Sequence, residues 1–158
     1  PKSSAASDVY KRQELACHLS HRFAAIASFA GTMPVRPTHC DPKRHVPLMH
    51  IHGVKDPIIA YASTWDWKNW PAVGTMHDVP ALVEFWRLRY GCRTVKTAQS
   101  SSERHAVYAE CEQNATVEHY RLLAGTHAWP ATLNERPTYQ TIWSFLSRYA
   151  LPQTASST

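Results

Sequence analysis

The stretch Val46-Pro47-Leu48-Met49-His50-Ile51-His52-Gly53-Val54-Lys55-Asp56 decides how this chain is read. Its apolar run from Pro47 to His52 is short and bounded by Pro on one side and Gly53 on the other, which predicts a buried strand. Just beyond come a turn and a carboxylate, Asp56, set before Pro57. In open α/β sheets, ligands and chemistry collect outside the carboxyl ends of the strands. Asp56 stands in such a place. A second is Gly125-Thr126-His127-Ala128-Trp129-Pro130, where His127 follows another strand-like run. An acid after one strand and an imidazole after a later one supply two of the three groups of a Ser-His-Asp triad, in the order nucleophile, acid, base. The third group is missing: no Gly-x-Ser-x-Gly pentapeptide occurs in the chain.

The totals narrow the field. A length of 158 residues suits one domain of ordinary size. A hydrophobic content of 44% supports a core, yet no apolar run approaches the roughly 18–20 residues of a membrane span. The formal charge of +5 is scattered, and its densest patch after the N-terminal residues, Lys43-Arg44-His45, is too short to argue for nucleic acid. Ten histidines make that charge pH-sensitive, and most of them are expected on the surface or on strand faces. The four cysteines, Cys17, Cys40, Cys92 and Cys111, form no C-x-x-C pair, so zinc-ribbon spacing is absent. Cys92 and Cys111 flank a polar, Ser-rich stretch from Thr97 to Glu103 that reads as a loop between a helix end and a strand. A disulfide between them would stabilise by about 3 kcal/mol in the chain-entropy model, and favours an oxidising compartment. Pairing of Cys17 with Cys40 stays open at this level.

The first thirteen residues stand apart. Asp8-Val9-Tyr10-Lys11-Arg12-Gln13 resembles one reading frame of a transposase adapter used in sequencing libraries, so Pro1 to Gln13 reads as non-native and is set aside like a tag. The expectation is then a native chain from Glu14 to about residue 150, the C-terminal portion of one domain, followed by a disordered Ser/Thr tail over 151–158.

From Glu14 to His21, Leu15, Ala16 and Leu19 suit the last turns of an amphipathic helix. Phe23 to Ala30 is almost wholly apolar and reads as a strand buried on both faces. Ile58 to His77, with Trp65, Trp67 and Trp70, is a long connection of the kind that carries function. Asp78 predicts an N-cap with Pro80 in the first turn, and Val79, Leu82, Val83, Trp86 and Tyr90 repeat with helical period up to Gly91. His105 to Cys111 is a strand candidate, and Ala115 to Leu123 alternates as a strand nearer the sheet edge would. Thr138 is the expected cap of a final helix with Ile142, Phe145, Leu146 and Tyr149 on its apolar face. Strands alternating with helices predict an α/β fold, a parallel sheet with crossover helices.

Taken together, Leu15-Ala16-Cys17, Phe23-Ala24-Ala25-Ile26-Ala27, His50-Ile51-His52-Gly53 with Asp56, Trp86 with Gly91-Cys92, and Gly125 with His127 and Trp129-Pro130 resemble the secreted polyhydroxybutyrate depolymerases and feruloyl esterases of the α/β-hydrolase superfamily. The similarity runs from about Glu14 to Tyr149 and rests on the order and spacing of the motifs. Thr126 stands where a Gly is usual before the His, and Ala131 follows Pro130 where a Gly is common. The resemblance implies an extracellular carboxylic ester hydrolase working by a Ser-His-Asp mechanism without a cofactor. Asp56 and His127 would be its acid and base, and the early strands, the elbow and the oxyanion donors would belong upstream of Glu14. Ser7 lacks the flanking glycines of an elbow and is not nominated. The implied partner is an ester, either a polyester or a feruloyl or acetyl polysaccharide, with no nucleic acid, no membrane and no particular oligomeric state.

Each of these residues has a plainer role to set beside the chemical one. Asp56 before Pro57 also suits turn initiation, and His127 also suits a structural loop histidine. His50 and His52 alternate onto one strand face and, with His45, His39 or Cys40, raise the question of a metal. Zinc needs three or four converging ligands, so core or near-site histidines hydrogen-bonded to the backbone are the expectation and no metal is assigned. Trp129 beside His127 is expected to wall the substrate site, with Trp65 as a second contact, whereas Trp86 belongs to the core. A non-catalytic carbohydrate-binding module, using the Trp-rich loop, is the competing function.

Overall fold

The computed structural model describes residues 15–34, 40–63, 65–66 and 75–152, with the backbone alone at 65–66. Pro1 to Glu14, His39, Trp67, Trp70, Gly74, the side chain of Trp65 and the tail from 153 lie outside the described residues. Residues 15–18 are helical (α1). The strands are β1 (Ile26–Phe29), β2 (Leu48–Gly53), β3 (Trp65–Asp66), β4 (Thr75–Met76), β5 (Thr94–Gln99), β6 (Glu103–Ala109), β7 (Val117–Leu122), β8 (Thr132–Leu133) and β9 (Arg136–Pro137). Helix α2 spans Val79–Arg89 and α3 spans Thr138–Leu146.

The architecture is mixed α/β. Five strands form one sheet in the order β1-β2-β7-β6-β5. β1, β2 and β7 run parallel, whereas β6 and β5 are antiparallel to their neighbours. β2 is buried along all six residues because both sheet faces are covered. On one face Ile26, Leu48 and Val117 pack with Leu82 and Trp86 of α2. On the other, Met49, Ile51, Tyr120 and Leu122 pack with Leu133 and with Phe145 of α3. Trp86 is a core residue, as its helical spacing predicts. Cutting such an aromatic back to Ala typically costs about 3–5 kcal/mol.

Helix α2 forms where the sequence places it. Asp78 Oδ1 accepts from Ala81 N at 2.7 Å, Pro80 occupies the first turn, and Arg87 and Arg89 lie in the last turn, facing the negative end of the helix dipole. Gly91 closes it at a φ of 60°.

Five expectations need correction. The sheet is mixed, not wholly parallel. β7 lies at its centre rather than near an edge, and its polar letters are buried in pairs: Glu118 accepts from His105 and Arg148. Burial pushes the Glu118 carboxyl up, and those bonds with the Arg148 charge outweigh it, leaving the group below its ordinary range. Thr97 to Glu103 is no loop; β5 runs to Gln99 and a tight turn leads into β6. β5 is exposed at every position, so no apolar face announces it. Thr138 does not cap α3. Pro137 precedes the helix, and the Thr138 hydroxyl donates instead to the Pro130 carbonyl. β1 is shorter than the apolar run and alternates between buried and half-buried, as befits the sheet's outermost described strand.

Both disulfides clip the core beside α2. Cys92 is bonded to Cys111, and Cys17 to Cys40. Two disulfides fit a protein matured under oxidising conditions, as secreted proteins are. No described helix is long and apolar enough to cross a membrane.

Candidate active site

Parallel pairing of β2 and β7 sends both strands out of the sheet at the same edge, and the site is built from the two loops that follow. Gly53 and Gly125 let those loops touch. A Cβ on Gly53 would stand 2.3 Å from the Gly125 carbonyl oxygen and 2.5 Å from that of Thr126, and one on Gly125 would meet the Leu122 Cβ at 2.6 Å. No side chain fits at either position. Backbone bonds lock the contact: Val54 N donates to Leu122 O and Lys55 N to Gly125 O, each at 2.9 Å.

Asp56 is then fixed from its own loop. Its Oδ1 accepts from Ile58 N at 2.8 Å and Ile59 N at 2.9 Å, and its side chain has no exposure. The other oxygen, Oδ2, lies 2.8 Å from His127 Nδ1. An ionised carboxylate only accepts, so Nδ1 carries the proton, and the neutral ring presents a bare Nε2. The His127 side chain keeps 31% exposure, and its Nε2 meets no hydrogen-bond partner among the described residues. Chemically, this is a base held in one tautomer by a buried acid, with its lone pair turned outward.

His52 supports the same loop. Its Nε2 donates to Ile59 O at 2.9 Å and lies 3.4 Å from Asp56 Oδ2. Burial holds this imidazole below its ordinary pKa. His50 is not at the site. It joins a second, buried chain that the sequence reading missed: Tyr61 Oη is 2.9 Å from His119 Nε2, His119 Nδ1 is 3.2 Å from His50 Nδ1, and His50 Nε2 is 2.8 Å from Gly31 O. Since Gly31 O can only accept, the protons fall in one order. His50 donates to Gly31, His119 donates to His50, and Tyr61 donates to His119. Both rings are neutral in that order. Burial agrees, lowering His50 well below its usual value and His119 to about 3. The alternation of His119 with Arg121 on a predicted strand was the one available signal. Among the described residues, no group of three or more His, Cys, Asp or Glu side chains is placed to hold a metal ion.

Trp129 follows the base by two residues and is 58% exposed. It stacks on Phe29 at 4.7 Å between ring centroids, and Phe29 in turn lies 6.4 Å from the His127 ring. From Trp129 an apolar surface cavity of about 500 Å³ runs over α3, past Tyr139, Ile142 and Trp143. Trp65 falls in β3, which pairs with β4. No family model matches the chain, and no curated protein matches it.

Proposed function

We propose that this chain supplies the acid and the base of a Ser-His-Asp carboxylic ester hydrolase of the α/β-hydrolase type, similar to the polyhydroxybutyrate depolymerases and feruloyl esterases. The observation that carries the reading is the 2.8 Å bond from His127 Nδ1 to a fully buried Asp56 carboxylate, with Nε2 left open. In that mechanism Nε2 takes the proton of a serine hydroxyl as it attacks the ester carbonyl, returns it to the leaving alcohol, and then activates water. Asp56 holds the tautomer and stabilises the imidazolium. The apolar cavity beginning at Trp129 would receive the ester's hydrocarbon part. The two disulfides support an extracellular setting for it.

The serine belongs to an elbow absent from these 158 residues. The test is therefore the contiguous gene. We expect it to encode Gly-x-Ser-x-Gly within a few residues upstream of Glu14. We expect the protein carrying that segment to hydrolyse p-nitrophenyl esters, and His127→Ala to cut the rate by about 10³-fold or more. The 158-residue chain alone should show no turnover sensitive to a serine-directed phosphonate. An upstream region without an elbow would overturn the reading. It would favour the competing one, a carbohydrate-binding module, for which the exposed aromatic rings of Trp129, Tyr139 and Trp143 are the supporting feature.

A further inference from the structure

On the α2 face of the sheet, away from His127 and Trp129, lies a second cavity of about 330 Å³. Two arginines line it, and they are direct cross-strand partners, Arg104 on β6 and Arg121 on β7. Like charges placed opposite each other on a sheet are destabilising, so such a pair calls for a compensating anion. Among the described residues neither guanidinium makes an ion pair with a carboxylate. Among the described residues Arg121 Nε is buried with no hydrogen-bond partner, and its guanidinium lies over the Tyr61 ring, 5.0 Å from the centroid. The Tyr61 hydroxyl is engaged by His119, whose neutral ring offers no countercharge. The carboxylate of Asp78 also acts on Tyr61, but it is occupied in capping α2. Opposite the charged end, the walls are apolar: Pro80 and Val83 of α2, Val95 of β5, and the ring of Tyr108.

We propose that this cavity is a binding site for a small amphiphilic carboxylate, its head on Arg104 and Arg121 and its hydrocarbon body between α2 and the β5–β6 hairpin. A planar carboxylate matches the guanidinium forks of the two arginines and would supply the countercharge that the pair lacks. The apolar walls distinguish such a ligand from a bare oxyanion, which has nothing to place against Val83 and Val95. The site is independent of the hydrolase reading, since it uses neither Asp56 nor His127.

The test is a titration of the isotope-labelled 158-residue chain with cyclohexanecarboxylate, followed by NMR. Saturable shifts should centre on Ala106, Arg104 and Arg121, including the arginine Nε–H signals. The neutral isostere cyclohexanecarboxamide should bind about tenfold or more weakly, because a charge-assisted bidentate pair is lost. Arg104→Gln and Arg121→Gln should each weaken the acid by about tenfold, whereas Arg93→Gln, outside the cavity, should change nothing. Should Arg121→Gln fail to fold, the exposed Arg104→Gln carries the comparison. Equal affinity for acid and amide, indifference to both arginines, or shifts centred elsewhere would overturn the proposal. So would inorganic phosphate binding as tightly as the acid, which would leave the apolar walls without a role.

Discussion

Asp56 performs two tasks with its two oxygens, and substitution separates them. Oδ1 holds the amides of Ile58 and Ile59, and Oδ2 holds His127. Asp56→Ala takes the acceptor from the part-buried amide of Ile58 and the buried amide of Ile59, so we expect a loss of about 1–3 kcal/mol in denaturant unfolding. Asp56→Asn keeps an acceptor for those amides and should cost less. Toward His127, however, the amide would present a donor and favour the opposite tautomer, with Nε2 protonated and useless as a base. In Ser-His-Asp hydrolases the wrong tautomer costs about 10⁴ in rate. In the present chain, NMR of the imidazole should show the proton moving from Nδ1 to Nε2 in Asp56→Asn. A protein whose tautomer is unchanged by that substitution would not be using Asp56 to set it. Both residues were legible in the sequence because each follows a recognisable strand. His119 and Tyr61 were not. Their partners lie 69 and 58 residues away in sequence; the register of β2 against β7 sets His119 beside His50, and the connection after β2 brings Tyr61 to His119.

At the scale of elements, the contrast between α2 and β5 explains what a sequence can announce. Helix α2 buries Val79, Leu82, Val83 and Trp86 on one face, so its period, cap and stop all agree. β5 buries nothing, and Thr94-Val95-Lys96-Thr97-Ala98-Gln99 carries no apolar stripe to betray it. It exists because β6 offers a ladder from Thr94↔Ala109 to Gln99↔Arg104 and because the Cys92–Cys111 bond ties the open end of the hairpin. An edge strand held this way depends on its tie. The bond closes a loop with a sequence separation of 19, worth about 3 kcal/mol by chain entropy. Cys92→Ser with Cys111→Ser should lose about that much in a denaturant midpoint series. Amide exchange in β5 should then quicken far more than in β2. If β5 and β2 lose protection equally, the bond supports the whole sheet and not the hairpin.

For the whole molecule, the ten histidines were legible as a pH-sensitive charge and His50 and His52 as hydrogen-bonded core residues, but His119 was not singled out; all three are buried in the middle of the sheet. A histidine buried neutral binds its proton less readily folded than unfolded. The unfolded value is about 6.5, whereas burial lowers His119 to about 3 and holds His50 well below its usual value. The stability these two rings contribute is therefore complete above pH ~6.5 and is lost as the pH falls through the window down to the folded values. Each neutral ring costs about 1.4 kcal/mol per pH unit within it. Against a total stability of about 5–15 kcal/mol, two such rings bring unfolding within reach of a few pH units. The lowered Glu118 acts in the same direction, but its contribution starts to fall only below the ordinary carboxylate value of 4.5. Onset therefore separates the two causes. Denaturant unfolding from pH 7.5 to 5 should show stability already falling, and His119→Gln, which keeps an acceptor for Tyr61 but cannot take up a proton, should make that slope shallower by roughly a quarter to a third, since burial also lowers His50, His52 and His77. A wild-type protein whose stability is flat down to pH 5 would mean that the buried rings accept protons without breaking the Tyr61–His119–His50–Gly31 chain. The single order of donors on which their neutrality rests would then be wrong.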